Sequence, residues 1–118
     1  MDEPLRIIRT PITRKELAAL AQAGFGDLVK AVVDTERRIM AVAGELHSDE
    51  EATLLDDGST QADLWGINLY PEETGEDWIE FDSMINVRPR QGNRSRSVDD
   101  PEIRQKIQQI VAELITGE

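Results

Sequence analysis

The chain has 118 residues, 39% hydrophobic and 31% charged, with a formal net charge of -11 and no cysteine. That length fits one domain (residues 1–118) with its own core, and the missing thiols exclude disulfides, thiolate catalysis and cysteine-based metal sites. Nothing approaches the roughly 18 apolar residues of a membrane span, and MDEPLRIIRT carries acids where a leader needs positive charge, so the sequence predicts a cytoplasmic protein with no membrane partner.

The charge is unevenly spread. Residues 1–38 and 88–118 are each balanced to within one charge, whereas residues 39–87 hold 13 acids and no Lys or Arg. An acidic whole argues against duplex nucleic acid, which needs a net basic face. It leaves room for a local anion site.

In chain order, Leu5-Arg6-Ile7-Ile8-Arg9 reads as a first strand ended by Thr10-Pro11. Thr13 and Glu16 form a capping box for a helix over about 14–23, with Leu17, Leu20 and Ala21 on one face and Gly24 as its stop. The β-branched run 28–34 and the run 39–43 predict a β-hairpin. Ser48-Asp49-Glu50-Glu51 is a second capping-box pattern, expected to open a short helix at about 49–56. Leu64 to Tyr70 alternates, with Trp65, Ile67 and Leu69 on one face and Gly66 and Asn68 on the other. The stretch 77–90 alternates more strongly still: Ile79, Phe81, Ile85 and Val87 share one parity, Glu80, Asp82, Asn86, Arg88 and Arg90 the other. It predicts a long strand antiparallel to 64–70. Asp99 or Asp100 with Pro101 opens a last helix over about 101–116, striped by Ile103, Ile107, Ile110, Val111 and Leu114. The fold class is α+β: a mainly antiparallel sheet of four to five strands, the two longer helices on one face, and a short third helix.

The segments DLWGINLYP (63–71) and EFDSMINVRPRQGNRSR (80–96), with GDLVKAVVD (26–34) and GELH (44–47), resemble a family of small uncharacterised bacterial proteins classed as a domain of unknown function. The resemblance covers nearly the whole chain. It implies a bacterial protein and a single compact domain, and it brings no catalytic assignment.

Chemistry must therefore be argued from residues. Asn86, Arg88, Arg90, Asn93, Arg94 and Arg96 crowd into eleven positions around Gly92. Arginine offers a planar fork of donors suited to carboxylate or phosphate. The segment 86–96 is thus the expected ligand-binding site of a non-enzymatic binding module, for an anionic small molecule or an acidic protein partner. The competing expectation is that these arginines pair with Glu80, Asp82 and neighbouring acids. A second function class is an enzyme on a phosphate- or carboxylate-bearing substrate, with Asp82, Glu80 or His47 as base and Glu80 and Asp82 sharing a cleft with Arg88. A third is an interaction module using the acidic 45–82 face. One histidine among scattered acids lacks metal-site spacing, and neither a P-loop nor any other cofactor pattern is present, so no metal or cofactor is expected.

Overall fold

The computed structural model describes residues 5–117. Residues 1–4, part of the stretch on which the leader was judged, and Glu118 lie outside them. Strands β1 (Arg6–Ile8), β4 (Ile39–Val42), β3 (Val29–Asp34), β5 (Leu64–Leu69) and β6 (Ile79–Glu80) lie side by side in that order, all antiparallel. The β3–β4 hairpin turns on Asp34, whose Oδ1 accepts the amides of Glu36 and Arg37, both at 2.9 Å. Such a local side-chain bond is what makes Asp a turn former.

Alternation along β3 and β5 sorts side chains onto two faces. Val29, Ala31, Val33, Trp65, Ile67 and Leu69 look one way, onto helices α1 (Arg14–Ala23) and α3 (Pro101–Leu114). The expected capping box is present: Thr13 accepts the Glu16 amide and Glu16 reaches back to the Thr13 amide. Asp100 caps α3 through the Glu102 amide, with Pro101 at the first helical position. The α3 stripe of Ile107, Ile110, Val111 and Leu114 is buried as its spacing predicts. Helix α3 stops at Leu114, two residues early, because Ile115–Thr116 form strand β7. That strand pairs in parallel with strand β2 (Ile12–Thr13), tying the two ends of the chain together.

The opposite face carries Val32, Ala41 and Leu64 under Leu54 of the third helix, α2 (His47–Asp56). The sheet is therefore covered on both faces, and the third helix is one full layer of the core. The Ser48 capping box does not form. Helix α2 starts two residues earlier, with Leu46 at the N-cap and no side chain capping it. Glu50 was expected only as one of the acids favoured at the positive start of that helix. It is instead fully buried, because its carboxylate turns inward to take the Gly44 amide at 2.8 Å. A methyl group at Gly44 would lie 2.8 Å from Glu50 Cγ and 2.9 Å from Leu5 Cδ1, so this approach requires glycine.

The long strand over 77–90 is a second correction. Only Ile79–Glu80 pair with β5. Beyond them the chain wraps around the sheet edge: Phe81 packs on the α1/α3 side, Ile85 on the α2 side, and Val98 back on the first. Val87 is exposed. Two contacts hold the wrap. Ser83 packs so tightly on Gly66 that a Cβ there would sit 2.6 Å from Ser83 Cβ. The Asn86 amide then takes the place of a strand, accepting the Gly66 N–H at 2.8 Å and donating to the Gly66 carbonyl at 3.0 Å. A side-chain amide has the same donor and acceptor as a peptide unit, so it seals an edge that would otherwise invite pairing.

Candidate functional site

The segment 86–96 is a braced turn. Arg88 and Asn93 pair as an antiparallel bridge, Pro89–Gln91 makes one 3-10 turn, and Gly92 takes the left-handed φ of 83° that closes it. Asn93 is buried, and its amide fans to the carbonyls of Asn86 (2.7 Å), Ser95 (3.1 Å) and Ser97 (2.8 Å) while its oxygen accepts the Asp99 amide (2.8 Å). Asn86 is also fully buried; besides Gly66 it bonds the Arg96 carbonyl at 2.9 Å. The amide groups of both asparagines are spent on main chain.

The four arginines divide in two. Arg88 is drawn inward: its guanidinium donates to the carbonyls of Ile85 and Gln61, each at 2.9 Å, and to that of Leu64, and it lies over the Trp65 ring at 4.8 Å. Its acidic neighbour is Glu51 at 3.6 Å, not Glu80 or Asp82. Desolvation lowers its pKa and the Glu51 charge partly restores it. The cleft expected to be shared by Arg88, Glu80 and Asp82 therefore does not form. Arg96 pairs with Asp82 at 2.6 Å on the surface, one internal pairing the sequence suggested. Arg90 and Arg94 are exposed, and among the described residues neither forms an ion pair.

The alternative catalytic residues lie on the α2 side of the sheet. There the register places Lys30, Asn68 and Glu80 in one row across three strands. Asn68 donates to Glu80 Oε1 at 2.9 Å and to the Asp82 carbonyl at 3.2 Å, and the Tyr70 hydroxyl donates to the same Glu80 oxygen at 3.1 Å. Tyr70 is held above its ordinary pKa, first by desolvation and then by Glu80. His47, from the start of α2, sits over this row with Nε2 2.8 Å from the Ile67 carbonyl. A carbonyl only accepts, so Nε2 carries the hydrogen and Nδ1 of the neutral ring keeps its lone pair. Burial is the main reason its pKa falls; the Ile67 bond opposes it, Lys30 lowers it further, and Asn68 and Asp82 raise it.

Two buried oxygens here have no partner: Glu50 Oε1 and Asn68 Oδ1. Buried polar groups are nearly always satisfied, so each exception calls for an explanation. For Glu50, burial pushes the pKa up to about 9, so it is a neutral acid at pH 7. Sequence reasoning missed Glu50, Asn68 and Lys30. The row of Lys30, Asn68 and Glu80 becomes visible only once strand register is known. No cluster of three metal-ligating side chains occurs among the described residues, and no helix is long and apolar enough to cross a membrane.

No curated protein and no solved structure matches the chain. The model of one family, described as protein of unknown function (DUF5674), matches residues 6–114, and the chain belongs to that family.

Proposed function

We propose that the protein is a non-enzymatic binding module whose turn 86–96 recognises a small phosphate- or carboxylate-bearing ligand through Arg90 and Arg94. One observation carries this reading. In a chain of net charge -11, two guanidinium groups stay exposed without a carboxylate partner among the described residues, on a turn braced by two buried asparagines and the inward Arg88. Fixing a turn this firmly reduces the ordering cost of binding. The acidic block does not forbid it, because charges more than about 8–10 Å apart are screened at ordinary ionic strength. Titrating the labelled protein with inorganic phosphate and citrate at low salt tests it. Saturable amide shifts centred on 88–96 are expected, lost in the Arg90→Ala/Arg94→Ala double variant. A parent that shows no saturable shift with either anion at about 10 mM, a generous limit for weak sites, rules the reading out.

A second reading is favoured by the convergence of His47, Glu80 and Asp82 beside the unsatisfied Asn68 oxygen. His47 Nδ1 would take a proton from a substrate, with Asp82 supporting the imidazolium. A screen against phosphate and carboxylate esters decides this one. Turnover abolished by His47→Gln supports it; turnover that survives the substitution, or none in the parent, sinks it.

A further inference from the structure

A cleft of about 700 Å³ opens at the end of the sheet where β3 begins and β4 ends. Small-molecule sites fall at roughly 300–1,000 Å³. Phe25, Leu28 and Leu46 supply its apolar lining, and Lys30, Gly44 and Glu45 its polar part. Five large apolar side chains are exposed on the described surface, and two of them, Phe25 at 51% and Leu46 at 54%, belong to this one cleft. Isolated exposed apolar residues need no explanation; two facing one concavity do.

Two charged side chains line the cleft, Lys30 and Glu45. Lys30 is the cation of the lining, and its ammonium lies 5.0 Å from the Phe25 ring centroid. Among the described residues it has no carboxylate within ion-pair distance. Glu45 lies at the same cleft but is exposed to water. Glu50, behind Gly44, is a neutral acid at pH 7, so it does not oppose Lys30 either. The start of α2 adds to the same sign: Leu46 lines the cleft as the N-cap of a ten-residue helix that no side chain caps, and the positive end of a helix favours an anion.

We propose that this cleft is a binding site for a small molecule with an apolar body and a single carboxylate, the carboxylate meeting Lys30 and the body lying against Phe25 and Leu46. A monocarboxylate fits better than a phosphate: one ammonium matches one charge, and the lining offers neither a guanidinium fork nor a glycine-rich loop for a dianion. This site is independent of the arginine turn.

The test titrates the labelled full chain with octanoate and, in parallel, with 1-octanol and inorganic phosphate. Octanoate is expected to shift the amides of Phe25, Lys30, Gly44 and Leu46 saturably and to bind at least about tenfold more tightly than octanol. Lys30→Met should bring octanoate down to the octanol level, and Lys30→Arg should retain the preference. Leu46→Asp, a change on the exposed rim that leaves the fold intact, should weaken both ligands. Equal affinity for octanoate and octanol overturns the proposal. So do shifts confined to other residues, undiminished octanoate binding by Lys30→Met or Leu46→Asp, or phosphate binding at these amides as strong as octanoate. Phosphate shifts at 88–96 alone leave the cleft assignment standing and belong to the arginine turn.

Discussion

Glu50 has no access to solvent, yet only one of its two carboxylate oxygens has a partner. Its pKa is raised from 4.5 in the open chain to about 9 in the fold. The unfolded chain therefore releases this proton first. The stability Glu50 contributes is complete below about pH 4.5 and is lost as pH rises through the window to about 9, with a slope of up to about 1.4 kcal/mol per pH unit. Glu50→Gln keeps the shape and an acceptor for Gly44 but cannot ionise. Urea denaturation at pH 7 and pH 9 should show the variant gaining on the parent as pH rises; a gap that does not change with pH would mean that Glu50 is already ionised in the fold. His47 is depressed and largely neutral at and above pH 7 in both states, so it leaves this range clear. Asn93 is the other residue whose removal should be costly. Its four bonds to main chain hold the arginine turn, and Asn93→Ala should lose on the order of 3 kcal/mol. Arg90→Ala and Arg94→Ala, by contrast, should each stay within about 0.5 kcal/mol of the parent. Chemical denaturation compares them directly.

Among the elements, the segment after β6 departs furthest from its sequence pattern. Its alternation of apolar and polar residues is real, yet the chain leaves the ladder after Glu80. The reason lies on β5: Gly66 has no side chain, so Ser83 drops against its backbone and Asn86 takes its peptide groups. Gly66→Ala should therefore cost about 1–3 kcal/mol as an overpacked contact. Ser83→Gly in the same chain should recover part of that loss, since it removes the atom that clashes. If the double variant is no more stable than Gly66→Ala alone, the Ser83–Gly66 contact is not what seats the wrap. Helix α2 follows the same logic from the other side: the Glu50 side chain leaves the helix surface because Gly44, with no side chain of its own, gives it room to bury.

Over the whole molecule, the balance of charge is worked out by pairs of which the sequence suggested only Arg96 with Asp82. Asp57 takes both Arg9 and Arg37, Glu113 takes Arg38, Glu51 takes Arg88 and Asp82 takes Arg96. The four pairs other than Arg88–Glu51 lie at the surface and are each worth about 0–1 kcal/mol, so they arrange the surface more than they hold the fold; the Arg88 and Glu51 side chains are only 11% and 14% exposed. The closure of β2 on β7 is more consequential. It joins residues some hundred positions apart, and Ile115 is buried in the core beneath it. Ile115→Ala should cost about 2–5 kcal/mol, measured by denaturation. A loss under 1 kcal/mol would show that the ends are not part of the cooperative core.

The local chemistry of the sequence determined most of the elements. The Thr13–Glu16 box, the Asp100-Pro101 start, the α3 stripe and the alternation of 64–69 are each set by neighbours within a few residues, so their signals survive without the fold. The turn at 88–93 was legible for the same reason, through Pro89 and Gly92. The tertiary structure alone decided where the polar groups went. Which arginines face inward, and whether Asn86 serves a ligand or a strand edge, depend on partners 20 to 37 positions away: Gly66 for Asn86, Gln61, Leu64 and Glu51 for Arg88. Hydrogen bonding and burial are properties of the assembled neighbourhood, and period-2 alternation does not tell a strand that stays in the sheet from a chain that rounds its edge. The cleft beside Lys30 is the extreme case. Its residues come from a loop, a strand and a helix N-cap, and only their packing makes them one surface.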